Sequence, residues 1–327
     1  MKFLLVIIIL PLFSYISHSQ SDTLKVDSLK LDSLKLDSIP KKKWRLKAIY
    51  ALSGSQTSFV NWNAGGRTNV SLLGFTSASA NYKQNNLKWD NDLNLALGGM
   101  KYLESKSLGL QKTDDRIDIA SNFGYKLKKQ YYFSTIGGFK TQSLDGFSYP
   151  NDSVIVSTFM APGYINLAIG FDYVPDDNFG IFISPFAAKM TFVNDQRLAN
   201  LGSFGVDKAT YDGLGNLLTA GKSFRGEFGS YIKIKWNKKI ATNIDMKTKL
   251  ELFSNYNHNP QNIDVNAEVI FNFKVNSWFS ASLQWNTIYD DDINIKDVKG
   301  GFGPRLQYKS VIGLGISYTL KNFVEKK

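Results

Sequence analysis

From Trp44 onward, apolar side chains recur at every second position rather than every third or fourth, which is the period of strands and not of helices. The stretch from Arg305 to Leu320 shows it best. Leu306, Tyr308, Ser310, Ile312, Leu314, Ile316, Tyr318 and Leu320 form one row, and Gln307, Lys309, Val311, Gly313, Gly315, Ser317 and Thr319 form the other. The first row has aromatic residues near both ends and aliphatic residues between them, while the second is small or polar for most of its length. Rows of this kind suit a strand with one face in lipid and one in a polar lumen. At about 3.3 Å per residue the stretch crosses a bilayer core at the usual tilt, whereas a globular strand averages about five or six residues.

Twelve such segments follow one another, approximately 45–57, 68–84, 87–103, 113–128, 131–143, 161–174, 179–192, 223–236, 240–256, 263–275, 278–289 and 305–320. Their connections alternate in length. Tight turns of Asn, Asp, Lys, Pro or Ser occur at Asn85-Asn86, Lys129-Gln130, Pro175 to Asn178, Asn237 to Lys239 and Asn276-Ser277. The other connections are longer, reaching Leu144 to Met160, Asn194 to Lys222 and Asp290 to Pro304. Outer-membrane barrels sort their connections this way, with short periplasmic turns and long external loops. The expectation is therefore all-β: a transmembrane antiparallel up-and-down β-barrel of about twelve strands over 44–323, both chain ends in the periplasm.

Ahead of it, Lys2 and the apolar run Phe3 to Phe13 lead to Ser17-His18-Ser19, the pattern of a cleaved signal peptide over 1–19. Residues 20–43 repeat K-[VL]-D-S-L with apolar spacings that hold no single face of a helix or strand, and are expected to be a disordered periplasmic linker. Residues 324–327 form a short tail. Cysteine is absent, which excludes a lipoprotein anchor, a disulfide framework and thiolate metal sites. The 16 Tyr, 23 Phe and 6 Trp are enough to furnish interfacial girdles. The net charge of +11 fits either attraction to anionic lipid or solute, or a solvated rim and loops.

Between the first two segments lies Ser55-Gln56-Thr57-Ser58-Phe59-Val60-Asn61-Trp62-Asn63-Ala64-Gly65-Gly66, with Asn69, Asn81-Tyr82 and Trp89-Asp90-Asn91 following. Together with the loop parity, this resembles the DUF3078 family of outer-membrane β-barrels from Bacteroidetes. The resemblance implies location and fold and brings no site residues. On its own terms, Gly65-Gly66 permits a turn with positive φ, and Trp62 can anchor at the membrane interface.

Enzymatic chemistry fares poorly. A lipase of this membrane needs a histidine base beside its serine, and after signal cleavage only His258 remains, at a loop apex. Asp290-Asp291-Asp292, with Asn294 and Asp297, is either a set of oxygen ligands for Ca²⁺ or a solvated loop. No cofactor is expected. If the aliphatic rows face lipid, the lumen is lined by Lys88, Asp90, Asp92, Arg225, Glu227, Lys233, Lys235, Asp245, Lys247, Lys249 and Glu251. Such charges either pair and fill the barrel or line a narrow polar channel. The long loop Asn194 to Lys222 is too apolar to stand free in water and is expected to form a constriction, with Arg197, Phe204, Lys208 and Tyr211 at the entrance. The expected function is a narrow channel or uptake barrel for small polar or anionic solutes, against a non-conducting barrel that displays its loops. Expected partners are outer-membrane lipid, lipopolysaccharide and the barrel-assembly machinery, with no nucleic acid; the barrel is expected to be a monomer.

Overall fold

The computed structural model describes residues 43–58, 67–103, 109–149, 151–296 and 301–323. The expected signal peptide, nearly all of the linker, Trp62, Gly65-Gly66, Asp297 and the tail lie outside the described residues. Twelve long strands form the wall: β1 (Trp44–Thr57), β2 (Asn69–Gln84), β3 (Leu87–Tyr102), β4 (Gln111–Lys128), β5 (Tyr131–Thr141), β6 (Gly163–Tyr173), β7 (Phe179–Phe192), β8 (Phe224–Ala241), β9 (Ile244–Asn255), β10 (Asp264–Lys274), β11 (Phe279–Tyr289) and β12 (Gln307–Lys321). Each pairs antiparallel with its neighbours in sequence, and β1 pairs with β12 from Lys47↔Lys321 to Ser53↔Gly315, closing the barrel. Closure gives every strand a partner on both sides, the condition for a sheet to lie in lipid.

Both faces follow from the two-residue period. On β3, Leu87, Trp89 and Leu97 point outward and are exposed, while Lys88 and Ala96 point inward and are buried. On β12, Tyr308, Ile312, Leu314, Ile316, Tyr318 and Leu320 are all exposed on the outside, apolar surface that only lipid would cover. At the short-turn end Trp44 packs on Tyr82 and Trp89, at ring-centroid distances of 5.1 and 5.7 Å, and Tyr131 packs on Tyr173 at 5.1 Å. Amphipathic rings of this kind sit at the headgroup level.

The turn expected at Asn237 to Lys239 is part of β8, which runs to Ala241 and turns at Thr242-Asn243. Polar composition read as a break because the strand continues past the apolar band into water. There Asn237 donates its N–H to the Asn178 carbonyl, and Lys238 lies over the Trp236 ring.

Pro185 lies inside β7, where it cannot donate to a ladder. The registers to β6 and β8 both shift there, between Ile169 and Phe171 and between Gly229 and Tyr231, so Pro185 pairs with neither strand. The Ser184 hydroxyl spans the gap: it donates to the Ile169 carbonyl at 2.8 Å and accepts the Phe186 N–H at 3.1 Å. Opposite sits Gly170, where an added Cβ would lie 2.1 Å from the Ile183 carbonyl oxygen. Gly170→Ala is expected to force the backbones apart at a cost of about 1–3 kcal/mol or more, seen as a lower urea midpoint for loss of the compact, heat-modifiable form in detergent.

The long loops carry structure of their own. Gly146–Phe147 pairs with Ile155–Ser157, and Asn294–Lys296 pairs with Phe302–Pro304. The loop 194–222 contains α1 (Gln196–Asn200), a 3-10 turn at Ser203–Gly205 and a ribbon joining Thr210–Tyr211 to Leu217–Thr219.

Candidate functional site

The lumen has two unlike sides. Among the described residues, every buried lumen-facing side chain of the wall lies on β3 to β9; Ile136, Ala168, Phe182, Ala187, Tyr231 and Phe253 form an apolar cluster there. The void between Ile136, Ala187, Tyr231 and Phe253 measures about 10 Å³, barely room for one water molecule. On β10, β11, β12, β1 and β2 the described lumen-facing residues are half-buried or exposed, apart from the buried Gly313 of β12. That wall sets small residues against one another in register, Ala51↔Ser317, Ser53↔Gly315, Ser280↔Gly315 and Ser282↔Gly313, beside the inward-facing apolar side chains of Ile49, Leu73, Phe75 and Val311.

Ion pairs cross the lumen, some between its two sides and some within the packed one. Arg116 on β4 reaches Glu268 on β10 at 3.0 Å, between strands diametrically opposite in a twelve-strand ring. Lys235 on β8 reaches Asp92 on β3 at 2.9 Å, and Lys88 reaches Asp172 at 2.8 Å. Glu251 is a hub. It accepts from Lys140 Nζ at 2.9 Å, the Tyr231 hydroxyl at 2.8 Å and Asn266 Nδ2 at 3.0 Å, with Lys233 and Lys249 within 4 Å. Toward the long loops Lys189 holds Asp264 at 2.6 Å and Asp290 at 2.8 Å, and Arg225 holds Glu227 and Asp292. Beyond this fence, Lys309 on β12 reaches Asp114 on β4 at 2.7 Å, across the long-loop mouth of the accessible side.

Of the residues read as lumen-lining from sequence, Lys88, Asp90, Asp92, Arg225, Glu227, Lys233, Lys235, Lys249 and Glu251 stand in this network. Asp245 and Lys247 share the inward row of β9 but lie exposed at the short-turn end without an ion pair among the described residues. Arg116, Asp118, Lys140, Asp172, Lys189, Asp264 and Glu268 were missed. Their signal was present, since each lies on the inward parity of its strand.

The expected constriction takes another form. Phe204 packs against a cluster of the loop's Leu198, Ala199 and Val206 with Ala161 and Val193 at the strand ends. Lys208 and Tyr211 are exposed, and Arg197 forks onto Asp195, the cap of α1. The Arg197 hydrogen bond, with the N–H groups of Leu198 and Arg197, holds the Asp195 carboxyl below the ordinary carboxylate range despite some desolvation. What reaches the lumen network is backbone: Arg225 Nη1 donates to the Gly205 carbonyl at 3.0 Å. Local hydrogen bonds claim the charged side chains before the mouth can.

The Asp290–Asp292 run is not a solvated loop. Asp290 and Asp292 turn inward onto Lys189 and Arg225, while Asp291 accepts from Asn262 Nδ2 at 2.5 Å. No group of residues suited to a metal occurs among the described residues. His258 is exposed, with Asn259 as its hydrogen-bond partner and Asp292 at 3.7 Å.

A closed wall with an apolar exterior and an ion-paired interior defines a transmembrane β-barrel of the outer-membrane kind. The resemblance to DUF3078 carried by Ser55 to Gly66 is borne out: residues 55–147 match that family, a protein of unknown function. Residues 209–298 match a second, DUF481, also described as of unknown function. Among curated proteins none matches the sequence. Similar solved structures include the translocator domain of the autotransporter NalP from Neisseria meningitidis, with 10% identity and a TM-score of 0.35 over 86% of this chain and 90% of that one. Another is the COG4313 outer membrane channel from Pseudomonas putida F1, with 11% identity and a TM-score of 0.37 over 89% and 100%. A third is the NanC porin, with 8% identity and a TM-score of 0.33 over 84% and 97%.

Proposed function

We propose that this protein is a narrow outer-membrane channel for small polar solutes, exported by a cleaved signal peptide and set with its short turns and both chain ends in the periplasm. One observation carries the reading. The lumen is packed on β3 to β9 but keeps a more accessible wall along β11, β12, β1 and β2, where Ser, Gly and Ala positions such as Ser53, Ala51, Gly315, Ser317, Ser280 and Ser282 stand among Ile49, Leu73, Phe75 and Val311. Mutual ion pairing alone would need no such wall. Small hydroxyl-bearing and glycine positions leave both space and hydrogen-bonding groups for a hydrated solute, and the fence of ion pairs confines it to one side.

The cross-lumen pairs favour a second reading, a filled barrel that displays its loops. Planar-bilayer recording separates the two. The channel reading expects resolved single-channel events of small conductance, together with flux of small sugars or amino acids into liposomes. Silence from a preparation whose heat-modifiable migration shows a folded barrel would leave the filled barrel standing.

A further inference from the structure

The seam that closes the barrel is short. β1 meets β12 over seven register pairs, from Lys47↔Lys321 to Ser53↔Gly315, all toward the short-turn end. Beyond them, residues 54–57 of β1 and 307–314 of β12 are strand but have no register partner across the seam among the described residues. Neither strand is frayed there. On their other edges β1 stays paired with β2 as far as Thr57↔Asn69, and β12 with β11 as far as Ile288↔Gln307. The parting is abrupt. A Cβ added to Gly315 would lie 2.0 Å from the Leu52 carbonyl oxygen, so the two backbones touch at that level, whereas one added to Gly54 would meet only Ser71 and Leu72 of β2 within 4 Å.

The gap lies at lipid depth, because the outward residues beside it, Ile312 and Leu314 on β12 and Leu72 on β2, are apolar and exposed. Hydrocarbon offers nothing to an unpaired N–H or carbonyl, so a strand edge left open here must be wetted from the lumen or meet an occupant with hydrogen-bonding groups. On the lumen side the same gap is met by apolar side chains. Leu73 stands opposite Ser53, the last paired residue of β1; Phe75 stands opposite Ala51, with Ile49 one inward step further along β1. Val311 lies on the inward row of the unpaired part of β12, opposite Gln284 of β11. All four are half-buried, whereas Ile136, Phe182 and Phe253 across the lumen are buried in its core. A filled lumen would have covered them, and a passage for wholly polar solutes gains nothing from apolar surface facing its water. Polar groups stand close by: a Cβ on Gly313 would lie 3.0 Å from both the Ser53 and the Ser282 hydroxyl.

We propose that the unpaired long-loop part of the β1–β12 seam is a lateral portal through which small single-chain amphiphiles pass between the lumen and the lipid. The chain lies against Leu73, Phe75 and Val311, and the head hydrogen-bonds to Ser53, Ser282 and Gln284 beside them. Passage rests on the channel reading; occupancy of the seam does not. A polypeptide strand adding to the free edge would leave the apolar lumen patch without a purpose, so the amphiphile accounts for more of what is seen.

The chain has no cysteine, so introduced pairs report on the seam alone. In the full chain folded into liposomes, Leu52→Cys with Ile316→Cys, a register pair, is expected to form a disulfide on mild oxidation. Gln56→Cys with Ile312→Cys, which the same register would bring together, should stay reduced, because Cα atoms more than about 7 Å apart cannot be bridged without backbone movement. The occupant is probed with a diazirine-tagged decanoate, photolysed in the same liposomes and mapped by peptide mass spectrometry. Adducts are expected on Leu73, Phe75 and Val311, and Phe75→Ser or Val311→Ser should lower those at the remaining positions about tenfold. Should one of these variants fail to fold, as heat-modifiable migration reveals, the other variant and the cysteine pairs still decide. Equal disulfide formation by both pairs overturns the portal. So do adducts confined to outward residues such as Ile312 and Leu314, which mark ordinary surrounding lipid. A second polypeptide captured by the Gln56→Cys edge in native membranes, with no lumen adduct, would make the edge a strand-docking site and overturn it too. Lumen adducts in a barrel that never conducts would overturn the channel reading and leave the occupied seam standing; conductance without lumen adducts would do the reverse.

Discussion

Replacing Glu251 by alanine is expected to destabilise the barrel more than any other single lumen substitution, by about 3–5 kcal/mol. Its carboxylate takes hydrogen bonds from Lys140, Tyr231 and Asn266, and has Lys233 and Lys249 within 4 Å. Removing it leaves three ammonium groups facing one another beside the apolar cluster of Phe182, Tyr231 and Phe253, with no water-filled space to disperse their charge. Glu251→Gln keeps the shape and the Tyr231 contact but not the charge, so most of the loss should remain. Urea unfolding in detergent, followed by tryptophan fluorescence and by heat-modifiable migration, measures the difference. The effect should also depend on context: adding Lys140→Met to Glu251→Gln should recover part of the stability, because one of the stranded cations is then gone. A Glu251→Ala barrel as stable as the parent would mean that water reaches this cluster freely, and that the β5 to β9 side is not packed.

The wall of this barrel is legible in the sequence because lipid imposes a rule on every strand: alternate residues must be apolar, so Leu87, Trp89, Leu93 and Leu95 mark β3 by their spacing alone. Loop parity is legible for the same reason, since only one end of each strand returns through a tight turn. The end of β8 was not, because Asn237 to Lys239 has turn composition and nothing local reports that the ladder continues beyond the membrane. Pro185 argues locally against the strand that contains it. Only its neighbours' registers, the Ser184 hydroxyl and the bare Gly170 make it tolerable.

Which residues face the lumen can be read from parity, but which of them meet cannot. The partner of Arg116 is Glu268, 152 positions away, and the distance between them in space is set by strand number and tilt rather than by spacing in the chain. Even the sidedness of the lumen had a trace in the sequence, in the Gly313, Gly315 and Ser317 row of β12. What no single strand discloses is that β11 and β1 place Ser282 and Ser53 beside that row and so extend it across three strands. The local contacts of Arg197 are short in sequence for the reverse reason. Near neighbours in sequence, above all Asp195, satisfy the Arg197 guanidinium before any long-range partner can.

The accessible side of the lumen is crossed at its long-loop mouth by the Lys309–Asp114 pair, and separating that pair is expected to open it. Lys309 Nζ donates to Asp114 Oδ1 at 2.7 Å, between β12 and β4; the lysine side chain is 45% exposed and the aspartate 11%. An ion pair open to water on its lysine side contributes about 1 kcal/mol. Asp114→Ala or Lys309→Ala should therefore leave the unfolding midpoint nearly unchanged. The same small energy, acting as a latch, would shift an open-to-closed ratio by up to about fivefold, so single-channel recordings should show a higher open probability or larger conductance. If both effects come from one contact, the double variant Asp114→Ala with Lys309→Ala should conduct like either single variant and not like their product. High salt should mimic the variants in the parent and have little further effect on them, because an exposed pair is screened. Variants that lower stability substantially and leave conductance at the parental level would make this pair a structural brace of the mouth and put the gate of the channel elsewhere.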